Sequence, residues 1–172
     1  MKVVTCLLAL LCFSGMTSAQ QSPSPASATY KRLTGLVGHW EGTSEWSGAR
    51  TGNGAMNADY YLTGNGSALV ENLVSDGSPV MTSVYHLDGK SLRVTHYCAA
   101  NNQPRLIAER MDPGKGEVDF IFVDATNLAS PDAPHVDRLQ VRSLSDSHLQ
   151  ISFRFVAKGK ESIELIDLIR KR

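Results

Sequence analysis

The sequence lacks an excess of charge of either sign. Its 172 residues include 17 Lys and Arg and 17 Asp and Glu, so the formal net charge at pH 7 is zero. Proteins that bind nucleic acid or an anionic membrane surface usually carry a basic patch. The only basic cluster here is Arg170-Lys171-Arg172, which has the form of a solvated chain end. The composition therefore predicts no nucleic-acid partner.

Cysteine is also scarce, and two of the three cysteines lie in an N-terminal targeting pattern. Lys2 precedes the apolar stretch 3–13, and Thr17-Ser18-Ala19 supplies a small-x-small cleavage site. The stretch is too short to span a bilayer. We expect residues 1–19 to be a signal peptide that is cleaved near Ala19, which predicts a secreted or periplasmic protein. The residues before the two early cysteines match a lipoprotein signal poorly.

Cleavage at that point leaves Cys98 as the only cysteine of the mature chain. An internal disulfide is then excluded, although the compartment would permit one. A hydrophobic content of 42% is enough for the core alone to stabilise one domain. Residues 20–28, rich in Ser, Pro and Ala, are predicted to be a flexible spacer before a domain at 29–172.

Recognisable catalytic and metal-binding motifs are absent from the sequence. The five histidines are dispersed, without His-x-His or Cys-x₂-Cys spacing, and there is no Gly-x-Ser-x-Gly, P-loop or dinucleotide fingerprint. Acidic residues such as Glu71 and Glu109 alternate with apolar ones, which is typical of solvated strand faces. We therefore predict no metal site and assign no catalytic residue; an enzyme is less favoured than a binding protein.

The sequence does contain a long succession of short alternating segments. An amphipathic helix is predicted over 30–37, after which the apolar period changes to two. Turn residues separate the segments at the spacing of an all-β fold, with Asp88-Gly89 the strongest hairpin signal. The predicted strands span 40–46, 55–62, 68–75, 80–87, 91–98, 106–111, 118–123, 136–144, 148–156 and 162–169.

About ten consecutive hairpin-connected strands are most easily accommodated by closure, since a closed barrel has no edge strands. We predict an antiparallel up-and-down β-barrel of about ten strands with a short N-terminal helix. A barrel of this size can enclose a cavity for a small ligand.

The segment Gly38-His39-Trp40-Glu41-Gly42 resembles the Gly-x-Trp signature of the lipocalin-like (calycin) superfamily, in which the tryptophan plugs one barrel end. Its strand count is closer to fatty-acid-binding and nitrobindin-type barrels. The segments 95–105 and 122–128 are similar to those of secreted bacterial proteins of unknown function. The resemblance implies a ligand-binding barrel, but the ligand-binding residues of these two families are missing. Leu168-Ile169-Arg170 replaces the Arg-x-Tyr pair, and no histidine follows His148 as a haem ligand.

The stretch 95–105 brings together a histidine, a phenol, a thiol and an arginine. If Asp88 and Gly89 form the hairpin loop, Met81 faces His96 across the strands. His96 and Tyr97 must then lie on opposite faces, so at most one points inward. Cys98 is predicted to be a small buried hydrophobe, since His96 is about 7 Å away along the strand. The predicted ligand contacts are Trp40, Tyr85, His96, Tyr97 and Arg105.

The preferred hypothesis is a barrel that binds a small, largely apolar molecule without covalent chemistry. No cofactor is predicted for this function. A first alternative is a haem-binding or small-molecule-converting enzyme that uses His96 and Tyr97, for which haem would be the cofactor. A second is a packed barrel whose loops, especially 124–135, bind a partner. Ordinary structural roles also fit, with His96 satisfied on a barrel wall and Arg105 either paired with Glu109 or Asp112 or simply exposed. The sequence specifies no oligomeric state.

Overall fold

The computed structural model describes residues 22–172, which form one helix and ten strands. Among these residues, no helix combines the length and the apolar character needed to cross a membrane. The elements are α1 Pro25–Thr34, β1 Gly38–Gly48, β2 Gly52–Thr63, β3 Ala68–Ser75, β4 Ser78–Asp88, β5 Ser91–Tyr97, β6 Gln103–Asp112, β7 Glu117–Thr126, β8 His135–Ser145, β9 His148–Ala157 and β10 Lys160–Arg170.

The ten strands form one closed antiparallel barrel. Each strand pairs with its neighbours along the chain, and β1 closes the barrel against β10, from Trp40 opposite Arg170 to Gly48 opposite Ser162. Each of the ten predicted strands has a counterpart, although the true strands are mostly a few residues longer. The predicted all-β barrel with a short helix is confirmed.

The helix begins earlier than its sequence pattern predicts. It spans Pro25–Thr34 rather than 30–37, because Ser24 caps its first turn, Pro25 suits the first helical position and Ala26 is buried. The predicted spacer 20–28 is therefore wrong from residue 25 onward. The predicted signal peptide, 1–19, lies outside the described residues.

One end of the barrel is closed by the helix, Trp40 and Arg170. Tyr30 donates from its hydroxyl to the Gly66 carbonyl at the β2–β3 turn, 2.9 Å away. The indole N–H of Trp40 donates to the Leu36 carbonyl at 2.8 Å, and the Arg170 guanidinium lies 4.2 Å above the centre of the Trp40 ring system. Arg170 also donates to the carbonyls of Gly35 and Val37. The last strand thus holds the segment that follows the helix.

The core consists of the inward-pointing residues of the alternating strands. On β1 the residues Trp40, Gly42 and Ser44 face inward, as the period of two predicts. An added Cβ at Gly42 would lie 1.8 Å from the Asp167 carbonyl oxygen, so only glycine permits the close approach of β1 and β10 there.

Candidate functional site

A cavity of about 600 Å³ opens at the barrel end opposite the helix. This end carries the β1–β2, β3–β4 and β5–β6 connections and Pro134 of the β7–β8 loop, whereas Gly66 and α1 mark the closed end. The cavity is lined by Ser44, Trp46, Arg50, Thr51, Gly52, Asn53, Gly54, Ala55, Met56, Ser75, Asp76, Val80, Met81, Ala99, Ala100, Pro134, Phe155 and Glu164. The barrel is therefore packed at one end and hollow at the other.

The aromatic part of the cavity wall comes from β1 and β9. The rings of Trp46 and Phe155 lie 4.9 Å apart between centroids, and the Arg50 guanidinium stacks 3.9 Å from the centre of the Trp46 ring system. Met56 and Met81 add flexible apolar surface from β2 and β4. Such a wall suits the apolar body of a small molecule.

One acidic side chain of the cavity wall, Glu164, is almost wholly buried. The residue is 2% exposed, and its Oε2 atom meets no hydrogen-bond donor within residues 22–172. Burial raises the pKa of Glu164, while hydrogen bonding to Ser44, the charge of Arg50 and hydrogen bonding to Trp46 act in the opposite direction. A buried acceptor without a donor is costly, so Glu164 is the polar feature of the cavity that most needs a partner.

Deeper in the barrel a row of polar residues crosses four strands, and we call it the polar row. Tyr60 lies opposite Glu71, Glu71 opposite Ser83, and Ser83 opposite His96. Tyr60 and Tyr85 donate from their hydroxyls to Glu71 Oε2 at 2.6 and 3.0 Å. The polar row is fixed by these hydrogen bonds inside an otherwise apolar core.

Glu71 is fully buried, contrary to the solvated strand face predicted for it. It shares the inward face of β3 with Leu69 and Leu73. Because both faces of β3 carry apolar residues, the sequence pattern does not show which face is buried. Burial raises the pKa of Glu71, and the donated hydrogen bonds of Tyr60 and Tyr85 offset part of that effect. Burial also raises the pKa of both tyrosines well above the ordinary value.

His96 is fully buried and held on two sides. Its Nδ1 is 2.9 Å from the Ser83 hydroxyl, and its ring stacks 4.8 Å from that of Phe153 on the far side of the barrel. Its Nε2 has no hydrogen-bond partner in the part of the chain that the structure describes. Burial lowers the pKa of His96 from 6.5 to about 3, so the imidazole is neutral at neutral pH.

The predicted hairpin register is wrong by one pair. Asp88 pairs with Ser91, so Gly89 and Lys90 form the loop, and the residue opposite His96 is Ser83 rather than Met81. The inward face is nonetheless the predicted one. Moving the loop by one residue changes each cross-strand partner by two positions, and residues two positions apart point to the same face.

The five predicted ligand contacts do not form one site. Trp40 plugs the closed end, Tyr85 and His96 belong to the polar row, and Tyr97 lies on the outer face, half exposed. Arg105 is exposed, which is one of the structural roles predicted for it, and it forms a two-pronged ion pair with Asp124 rather than with Glu109 or Asp112. None of the five is among the residues that line the cavity.

Two other predicted features of the stretch 95–105 have clear outcomes. His96 and Tyr97 do lie on opposite sides of the barrel wall, so the two side chains cannot contact the same ligand. Cys98 is buried, and burial raises the pKa of its thiol, which opposes thiolate chemistry. Within residues 22–172, no three His, Cys, Asp or Glu side chains come together as a possible metal site.

Comparison with known proteins identifies the fold alone. No family model and no curated protein matches the sequence. Rv2717c from M. tuberculosis aligns in structure with a TM-score of 0.60 at 16% identity, over 84% of this chain and 98% of its own. A DUF3598-family protein of unknown function from Nostoc punctiforme aligns with a TM-score of 0.57 at 13% identity, over 81% of this chain. The chain spans about half of that protein, 49% of its length. These neighbours support the antiparallel β-barrel fold and leave membership of the lipocalin-like (calycin) superfamily a prediction.

Proposed function

We propose that this protein binds a small, largely apolar molecule in the open end of its barrel. The observation that carries the proposal is the cavity of about 600 Å³ at the end opposite the helix. Cavities that hold small molecules usually measure about 300–1,000 Å³ and combine apolar walls with few polar groups. The proposed site consists of Trp46, Met56, Met81, Phe155 and Glu164, and it replaces the contacts predicted from the sequence.

The distribution of packing supports this function over the loop-mediated alternative. The half of the barrel near the helix is filled by Trp40 and the polar row, whereas the other half keeps its space beside the two methionines and Phe155. A barrel that served only as a scaffold for loops would gain stability from filling that space. The secreted or periplasmic location predicted from residues 1–19 is compatible with a role in ligand capture or transport.

A test can use Gly54, which lines the cavity and faces inward beside Ser44. A Cβ at Gly54 meets no atom within 4 Å, so Gly54→Leu places a side chain in the open space without a backbone clash. Thr43→Leu is the matched control, because Thr43 is exposed on the outer face of the neighbouring strand.

Binding is measured with the neutral fluorophore N-phenyl-1-naphthylamine, together with native mass spectrometry of protein purified from its own host. We expect saturable fluorescence enhancement that Gly54→Leu weakens at least about tenfold and Thr43→Leu leaves unchanged, since the added side chain occupies ligand volume. Absence of both probe binding and a co-purifying ligand would overturn the proposal. Binding that is indifferent to Gly54→Leu would do the same.

A further inference from the structure

The cavity wall carries one buried carboxyl group that the protein itself leaves incompletely satisfied. Glu164 lines the cavity from β10, is 2% exposed, and has an Oε2 atom without a donor within residues 22–172. Buried acceptors in proteins are nearly always paired with a donor from protein, water or ligand. The missing donor is therefore informative about what the cavity receives.

The nearest cationic side chain of the cavity does not supply that donor. The Arg50 guanidinium stacks on Trp46, and no ion pair joins Glu164 to a Lys or Arg anywhere in residues 22–172. The charged residues that line the cavity are Arg50, Asp76 and Glu164, two acids and one base. The electrostatic balance of the cavity thus favours a cation over an anion.

The surroundings of Glu164 suit an ammonium group with an apolar body. Glu164 lies opposite Trp46 in the pairing of β1 with β10, and Trp46 contacts Phe155. Aromatic faces attract organic cations, and a carboxylate within reach adds a charge-assisted hydrogen bond. The two methionines on β2 and β4 then offer soft apolar surface to an alkyl or aryl tail.

We infer that the ligand of the barrel cavity is a small amphiphilic amine whose protonated nitrogen donates to Glu164 and whose apolar part packs against Phe155, Met56 and Met81. This inference rests on the proposed function, because it assigns a ligand class to the same cavity.

The test compares three probes that share one tail: octylamine, octanol and octanoate, each competing with N-phenyl-1-naphthylamine at pH 7.5. Octylamine is protonated at this pH, since alkylamines titrate near the value of lysine, about 10.4. We expect octylamine to bind about tenfold more tightly than octanol and octanoate to bind weakest, as a charge-assisted hydrogen bond predicts.

Glu164→Gln should reduce the amine-to-alcohol affinity ratio to near one while leaving octanol binding in place. Glu45→Gln is the matched control, because it removes the same charge from the exposed outer face of β1, opposite Leu165. The control should preserve the ratio. Thermal unfolding of each variant establishes that it is folded before binding is compared.

The outcomes separate the two proposals. Equal affinity for all three probes, abolished by Gly54→Leu, would overturn the amine assignment and leave the binding function standing. Preference for octanoate, or an amine preference that survives Glu164→Gln, would also overturn the assignment. If the fluorophore does not bind and no ligand co-purifies, both proposals fail. Fluorophore binding that none of the three octyl probes displaces would overturn the amine assignment alone. The wild-type ratio alone decides the assignment if Glu164→Gln does not fold.

Discussion

Ser83 and His96 lie directly opposite each other on β4 and β5, and the Ser83 hydroxyl is 2.9 Å from His96 Nδ1. This contact fixes the orientation of an imidazole that is fully enclosed and stacked on Phe153. The histidine that stands out in the sequence is thereby a neutral member of the core. Its contribution to stability depends on pH in a way that can be measured.

His96→Gln should make the free energy of unfolding depend less on pH below pH 6.5. The pKa of His96 falls from 6.5 to about 3 in the folded protein, so between these values the unfolded chain binds a proton that the folded protein does not. The stabilisation is complete above pH 6.5 and declines by about 1.4 kcal/mol per pH unit below it. Urea unfolding at pH 6.5, 5.5 and 4.5 should show a steeper decline for wild type than for the variant. An equal decline of the unfolding free energy with falling pH in wild type and variant would contradict the lowered pKa of His96.

Glu71→Ala should destabilise the barrel far more than Glu71→Gln. Alanine leaves the buried hydroxyls of Tyr60 and Tyr85 without their acceptor, at about 1–3 kcal/mol for each unsatisfied group. Glutamine keeps an acceptor oxygen and removes the ionisation of a buried acid. Denaturant unfolding at pH 7 compares the two variants with wild type, and similar losses for both would argue against the hydrogen-bonded role.

The same two variants predict a pH trend opposite in sign to that of His96. Burial raises the pKa of Glu71, so the stability linked to its protonated form is complete below its ordinary pKa and is lost as pH rises through the raised one. Glu71→Gln has no such loss. Its stability relative to wild type should therefore increase from acidic to neutral pH in the same unfolding assay.

Gly42→Ala and Gly54→Ala form a matched pair on the inner face of β1 and β2. The added Cβ at Gly42 would lie 1.8 Å from the Asp167 carbonyl oxygen, whereas the one at Gly54 meets open space. We expect Gly42→Ala to cost at least about 1–3 kcal/mol through forced backbone movement, and Gly54→Ala to change stability by less than about 0.5 kcal/mol. Thermal unfolding checks both, and equal effects would refute the close approach of β1 and β10.

Arg170→Lys should loosen the closed end of the barrel. Lysine keeps the charge but cannot donate at once to Gly35 and Val37 while stacking on Trp40. We expect a loss of about 1–3 kcal/mol and faster amide hydrogen exchange at residues 34–38, with exchange at the open end unchanged. Unaltered exchange there would show that the segment after the helix is held by other contacts.

The fold could be predicted because period-two alternation and turn residues are local properties. Asp88-Gly89 correctly identifies a hairpin. Asp88 is paired with Ser91, however, and does not belong to the loop, so the register differs from the predicted one by one pair. The apolar pattern places the helix start too late, because Ser24 and Pro25 begin the helix with residue types that are also common in spacers. In both cases one or two polar residues decide a boundary that the apolar pattern does not fix.

The site could not be predicted in the same way, since a cavity depends on which end of the closed barrel stays unfilled. Glu164, Ile166 and Leu168 all point inward from β10, but of the three only Glu164 lines the cavity at the open end. The phenol of Tyr97 and the guanidinium of Arg105 are chemically suited to bind a ligand, yet strand alternation places Tyr97 outside and Asp124 neutralises Arg105. The chemical type of a residue therefore does not indicate whether its side chain reaches the cavity.

The pairing of the first strand with the last also determines the order in which this protein can fold. Gly42 of β1 has Leu168 of β10 as its neighbour, so β1 keeps an unpaired edge until nearly all of the described chain has been synthesised. Hairpins such as β4–β5 can form early, but the cavity comes into existence only with the final closure. A ligand that binds the cavity can therefore stabilise only the closed barrel, so ligand supply would shift the folding equilibrium toward closure.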